Sequence, residues 1–399
     1  MNIILFDDPA RAALLPLTFT RPVAALRWGI QTFAERWQSL TEADVSYLTE
    51  GYLRPKFAPV ITNNNLLVNG ALVADDALAA AVAALPSGQA LRQGNRLLAA
   101  HLTADDAMQW MEAGATIERW LGVASEYEAP VHLLEHWWDL FAGNGAVLEA
   151  DFQRLTAGRT SAAPGAGNTL IGPQENLFLE AGASVQGAIL NLNNGPIYLG
   201  KDAEIMEGSV VRGPLALGEH AVVKMAAKIY GPTTVGPWCK VGGEINNCIF
   251  TGYSNKGHDG FLGNSVIGEW CNLGADTNTS NLKNDYGPVK VWSYPEAGMV
   301  NSGRQFCGLL MGDHAKSGIN IMFNTGTVVG VSANVFGSGF PPKFIPSFSW
   351  GGADELVPFR FDKAEQVATR MMERRGIAYD AVEHGILDAV FRQTEVFRA

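Results

Sequence analysis

Eight aliphatic residues, Leu199, Ile205, Val211, Leu217, Val223, Ile229, Val235 and Val241, recur at an unbroken spacing of six. Neither the 3.6-residue period of a helix nor the two-residue period of a flat strand produces such a run. A triangular parallel β-solenoid does: three hexads make one coil, and the first residue of each hexad points into the prism. Gly200, Gly218, Gly236 and Gly242 follow four of the eight and suit the tight corners. One coil cannot bury its own apolar side, so the pattern predicts a stack of coils. The period resumes at Phe261, Ile267 and Leu273, read as inward supports, and again at Met311, Ser317, Phe323, Val329 and Val335. Between these runs residues 280–310 carry Tyr286, Gly287, Pro288, Pro295 and Gly298, which predicts an excursion loop leaving the prism.

Ahead of the repeat the pattern is that of an α/β domain over residues 1–155. Residues 2–6 read as a buried strand, 24–37 as a helix with Ile30, Phe33 and Trp37 on one side, and 66–68 as a second strand. An alanine-rich helix is expected over 75–85, and a third helix over 131–152 with Trp137, Trp138 and Phe141. Residues 156–168, TAGRTSAAPGAGN, hold almost no large apolar side chain and read as a linker. The solenoid domain then spans 169–339. Residues 340–399 carry helical patterns over 362–375 and 381–391, either a lid on the last coil or a tail that packs on a neighbouring subunit.

A net charge of -11 with a pI near 5.2 argues against a nucleic-acid or anionic-membrane surface and for small-molecule partners. No apolar run reaches 18 residues, and the opening MNIILFDDPAR lacks the pattern of a secretory signal, so a cytoplasmic location is expected. Cys239, Cys248, Cys271 and Cys307 show no metal-binding spacing and read as small buried hydrophobes.

Two stretches call for a chemical reading. In the loop after the first strand, Arg11 and Arg21 offer guanidinium groups to a phosphate, and Asp7 or Asp8 a carboxylate to Mg2+; a solvated loop shaped by Pro16 and Pro22 is the plainer alternative. Residues 253–286 concentrate Asn, Asp, Lys and Gly around the single His258. An imidazole can take a proton from an attacking amine or hydroxyl near neutral pH, and backbone N–H groups at the glycine-rich turn 273–275 can meet an oxyanion. A lone histidine also serves purely structural roles.

The first of these stretches resembles the opening of the sugar-1-phosphate nucleotidyltransferases, through Arg11, the Pro16-Leu17-Thr18 run, and Arg21-Pro22. The family's glycines are absent, Val23 stands in place of its catalytic lysine, and Asn69-Gly70 in place of its Gly-Asp metal strand. The resemblance implies nucleotide binding by Arg11, Thr18 and Arg21, with Mg2+ if the domain is active.

The second stretch resembles the acetyltransferase domain of the bifunctional glucosamine-1-phosphate N-acetyltransferase/N-acetylglucosamine-1-phosphate uridyltransferase family. The match runs through His258, Phe261, Leu262, Gly263, Ile267, Gly268, Asn272, Leu273, Gly274, Ala275 and Asn281. It implies a left-handed parallel β-helix and a trimer with acetyl-CoA between prisms. By the same resemblance, His258 would act as general base, Asn272 would hold the sugar, Asn281 would orient base or amine, and the Ala275 amide would contact the thioester. Lys283 or a loop neighbour would meet phosphate. Phe261 replaces a tyrosine, Asn246 a phosphate-binding lysine and Tyr230 a phosphate-binding arginine, which leaves Lys228, Lys256 or Lys283 to supply the positive charge.

The expected activity is therefore acetyl-CoA-dependent N-acetylation of an amino-sugar 1-phosphate, coupled or not to nucleotidyl transfer from UTP giving a UDP-N-acetyl sugar. Two other readings compete with it. In one, the chain is a nucleotidyltransferase whose solenoid is only an oligomerisation platform; in the other, it is a non-catalytic sugar-nucleotide-binding scaffold.

Overall fold

The computed structural model describes residues 2–113 and 117–398. They form two compact units, the first comprising residues up to Leu14, Thr20–Leu26 and Gln31–Glu135, the second Leu15–Phe19, Arg27–Ile30 and residues 136–398.

In the first unit, the strand Asn2–Phe6 lies between two parallel neighbours, Asp44–Leu48 and Asn65–Asn69. Arg96–Leu102 pairs antiparallel with the latter, and Ala90–Gln93 and Ala124–Glu126 complete the sheet. Ile3, Ile4, Leu5 and Phe6 are buried on both faces, which explains a near-continuous apolar run rather than an alternating one. The helix expected over 24–37 does not form as such. Gly29 at φ +77° breaks it, and the helix runs instead over Phe33–Thr41, where Thr32 and Glu35 form a reciprocal cap. The alanine-rich helix spans Asp76–Ala83, capped by the Asp75 carboxylate.

The third expected helix differs in both limits and loyalty. His132–Leu133 pairs as a strand with Leu72–Val73 in the first unit, while the helix proper, Trp137–Thr156, belongs to the solenoid unit. Its buried Asn144 donates to the Pro232 carbonyl and to Thr234 Oγ1, both at 3.1 Å, and accepts from the Gly29 amide at 3.0 Å. These polar bonds lock the helix to the prism wall, so it serves as a side brace of the solenoid.

The second unit is a parallel β-solenoid. Each coil gives one short strand to each of three faces, and each strand pairs in parallel with those of adjacent coils. The first face runs through Ile189–Asn191, Val210–Arg212 and Lys228–Tyr230 to the opening halves of Glu244–Gly252 and Phe261–Glu269. The second runs through Leu215–Leu217 and Thr233–Val235 to Leu309–Met311 and Thr327–Val329, and the third from Ser184–Val185 to Ser349–Gly351. Inward aliphatics from all three fill one continuous core.

The hexad frame changes after Val241. The next inward residues are Ile245, Phe250, Lys256, Leu262, Ile267 and Leu273, so the spacing falls to four and then five in places. Leu262, wholly buried, takes the inward place expected of Phe261, whose ring lies half-buried on the outer surface. The four-residue step falls at the tight corner Gly242-Gly243, where Gly243 has φ +72° and a Cβ would meet Asp259 Cα at 2.8 Å, and the five-residue step from Leu262 to Ile267 moves the inward place off Phe261. The excursion is real: its neck closes between Leu282 and Phe306, and Lys290–Ser293 and Gly298–Asn301 form a hairpin.

The C-terminal helices, Phe361–Glu373 and Ala381–Gln393, pack on this chain's own solenoid. Phe348 meets Phe391 edge-on, and Arg375 reaches back to the Trp238 carbonyl and Asn255 Oδ1, each at 3.3 Å. The tail thus extends beyond a lid on the last coil. No helix among the described residues is long and apolar enough to cross a membrane.

Candidate functional site

The first and third faces of the prism meet along an edge, and that edge collects most of the residues singled out in the sequence. His258 is exposed on the corner 257–260, which joins Asn255–Lys256 on the third face to Phe261–Glu269 on the first. One coil on, Ala275 occupies the equivalent corner, joining Asn272–Leu273 to Asn278–Thr279. The two corners are stitched together by the Asp276 amide, which donates to the Asp259 carbonyl at 3.0 Å. Asn272 is half-buried on the third face, in register with Asn255 and Lys316.

On the first face, parallel register sets Lys228, Glu244 and Phe261 in one row and Tyr230, Asn246 and Gly263 in the next. Asn281 lies over Gly263 and donates to Asn264 Oδ1 at 2.8 Å. The absence of a side chain at Gly263 makes room for it: a Cβ there would stand 2.6 Å from both Asn281 Nδ2 and Phe261 Cζ. The glycine therefore leaves room for both the amide and the aromatic ring beside it.

Glu244 was not singled out in the sequence. The Tyr230 hydroxyl donates to its Oε1 at 2.6 Å, and Lys228 Nζ stands 3.7 Å from its Oε2. Burial, then the Glu244 hydrogen bond, pushes the Tyr230 phenol up to about 12. The pair with Lys228 is exposed and of the kind worth only about 0–1 kcal/mol, so a phosphate could displace it. Strict alternation about the inward Ile245 is the signal that would have placed Glu244 beside Lys228.

Lys283 is bound to Asp285 at 3.0 Å. Near it stands Lys343, also missed, which donates to Thr325 Oγ1 at 3.3 Å. Burial, and then repulsion from Lys283, holds the Lys343 ammonium below its ordinary value. Lys256 is not available as a surface cation at all. It points into the prism at 1% exposure.

The first unit groups its own polar residues beyond the carboxyl ends of its parallel strands, where α/β sheets place ligands. Asp7 accepts from the Val23 amide at 2.8 Å, Arg11 Nε at 3.1 Å and Thr49 Oγ1 at 2.5 Å; burial is the main influence on its carboxyl and raises its pKa. Asp8 accepts from the Ala10 amide and Asn69 Nδ2 and faces Arg96 at 3.4 Å. Both carboxylates are thus engaged by donors, and the expected metal strand supplies an amide, Asn69. This arrangement does not fit a Mg2+ site. Arg21 is buried in the first unit, whereas Thr18, wholly buried, belongs to the second, so Thr18 presents no surface to a nucleotide.

A family model described as sugar nucleotidyl transferase matches residues 3–160. No curated protein matches the chain. Among solved structures, the chain is similar to the polysialic-acid-specific acetyltransferase NeuO, with 11% identity over 52% of this chain and 94% of that one and a TM-score of 0.26. It is also similar to the UDP-N-acetylglucosamine acyltransferase of Campylobacter jejuni, with 13% identity over 59% and 83% of the two chains and a TM-score of 0.27. The Arabidopsis UDP-N-acetylglucosamine acyltransferase matches with 14% identity over 55% and 76% and a TM-score of 0.19. Likeness at this level leaves the chemistry to the chain's own residues.

Proposed function

We propose that the solenoid edge transfers an acetyl group from acetyl-CoA to the amine of an amino-sugar 1-phosphate. The observation that carries this reading is the convergence of His258 and Ala275 on consecutive corners of one edge, with Asn246, Phe261, Asn281 and Lys228 on the face that begins there. His258 takes the proton as the sugar nitrogen attacks the thioester carbonyl. The Ala275 N–H stabilises the tetrahedral oxyanion. Collapse forms the amide, breaks the carbon–sulfur bond and releases the CoA thiolate, which is then protonated. Asn272 and Asn246 hold sugar hydroxyls, Asn281 orients the amine, and Phe261 packs on the ring. Lys228 and Lys283, with Lys343 behind the latter, face the phosphate. A homotrimer in the cytoplasm is part of this reading.

The test is thiol release from acetyl-CoA with glucosamine 1-phosphate as acceptor. His258→Ala is expected to lose at least 100-fold in kcat, within the range of general-base contributions, while its unfolding midpoint stays put. Retained turnover would sink the role given to His258.

A second reading, nucleotidyl transfer by the first unit, is favoured by the family match over residues 3–160. Consumption of UTP by the full chain with a panel of sugar phosphates separates it from acetyl transfer.

A further inference from the structure

The aliphatic row on the third inner face is interrupted twice, by Lys256 and by Ser317. Both interruptions lie beneath the proposed site. Lys256 stands in register with Val241, and its ammonium donates to the carbonyls of His258 at 2.9 Å, Gly242 at 3.1 Å and Asp259 at 3.5 Å. Ser317 stands in register with Leu273 and contacts Thr277 Oγ1 at 3.0 Å, on the corner that carries Ala275.

An ammonium in an apolar prism is costly to bury, and a stack of coils needs no charge to hold together. Val223 and Val241 fill the same place two coils and one coil earlier with no polar group at all. What the lysine adds is three hydrogen bonds, two of them to the turn that carries the exposed His258. We infer that Lys256 is a positioning residue, fixing the His258 turn from inside the prism so that the imidazole is held at the edge. It touches neither acetyl-CoA nor sugar. The inference rests on the assignment of His258 as the base.

The groups facing the ammonium are the carboxylates of Asp259 and Asp276 and the thiol of Cys248 on the neighbouring first-face strand. Burial outweighs them and brings the lysine down to about 8. Burial likewise keeps the Cys248 thiol neutral, pushed up to about 12. Loss of the lysine's proton removes one of its three donors, so the grip on the turn weakens as pH rises past 8.

The experiment compares Lys256→Met with wild type in the full chain, using acetyl-CoA and glucosamine 1-phosphate. Methionine has similar length and suits the apolar surroundings. The expected result is a kcat lowered about 10- to 100-fold, since a displacement near 1 Å costs on that order, with KM for both substrates within about twofold of wild type. The fall in wild-type kcat above pH 8 should be absent from the variant. Exchange of the Asp276 amide, which donates to the Asp259 carbonyl of the same turn, should quicken. If methionine prevents folding, Lys256→Leu, which likewise has no N–H donor, serves for the same readouts. Wild-type kcat, pH profile and Asp276 exchange in a variant, alongside an inactive His258→Ala, would overturn the inference and leave the proposed function standing. Activity in His258→Ala would instead overturn the functional reading, and Asp276 exchange would still report whether Lys256 braces the turn.

Discussion

Gly263→Ala is the smallest change that separates the site from the scaffold. The added Cβ would lie 2.6 Å from Asn281 Nδ2, 2.6 Å from Phe261 Cζ and 3.0 Å from Asn281 Cγ. Carbon contacts settle at about 3.5–4.0 Å, so both side chains must retreat by roughly 1 Å. Both atoms in conflict are tips of flexible side chains, and Gly263 has no left-handed backbone for alanine to strain. The structural cost is therefore small: the Asn281–Asn264 hydrogen bond, worth about 1 kcal/mol, is loosened, and the fold stays intact. The functional cost is larger, since a 1 Å error in the groups proposed to orient the amine amounts to about 100-fold in rate, near 2.7 kcal/mol in the barrier. Thiol-release kinetics give kcat/KM, and thermal unfolding gives stability. A loss of about 100-fold in kcat/KM with only a few degrees in Tm is expected. An unchanged kcat/KM would refute the placement of Asn281 and Phe261 in the site.

Asn144→Ala removes two hydrogen bonds from the helix Trp137–Thr156 to the prism and a third from the Gly29 amide, and should destabilise the solenoid unit by about 3 kcal/mol, read from urea unfolding. Alkaline pH acts through buried thiols. Cys239, Cys248 and Cys307 are pushed by burial to about 12 and Cys271 is raised as well, so the unfolded chain releases these protons first and stability falls as pH rises from about 8.5. Lys256 and Lys316, both lowered by burial to about 8, act in the opposite sense between 8 and about 10.5, because there the unfolded state binds more protons. Four thiols outweigh two amines, so the denaturation midpoint should drop above pH 8.5, and more steeply in Lys256→Met. Arg375→Ala cuts the bonds from the tail to Trp238 and Asn255, and should speed limited proteolysis between the two C-terminal helices while leaving the solenoid resistant.

The solenoid was legible because its core demands one apolar residue every six, and no other architecture asks for that. The same rule concealed Lys256: a frame defined by aliphatic residues passes over an inward lysine, and it drew Phe261 into a place that Leu262 holds. The shortened corner at Gly242-Gly243 and the five-residue steps Ile245 to Phe250 and Leu262 to Ile267, visible as paired strands, reset the count. The proposed site residues His258 and Ala275 stood out through their resemblance to a family motif. Glu244 and Lys343 did not, because their roles arise from neighbours one or more coils away that lie far off in sequence. The helix Trp137–Thr156 had a readable pattern, yet nothing in its own residues says which unit will bury Phe141 and Leu148. In the first unit Asp7 and Asp8 looked like metal ligands until their donors Thr49, Val23, Asn69 and Arg96 were brought beside them by the sheet.

The most direct test of the central claim is a ligand-bound structure of the full chain with CoA and glucosamine 1-phosphate. The sugar amine is expected within hydrogen-bond reach of His258, the sugar ring between Phe261 and Asn281, and the thiol end of CoA at the Ala275 amide. Sugar phosphate bound only in the first unit, with the edge at His258 empty at saturating concentrations of both ligands, would contradict it.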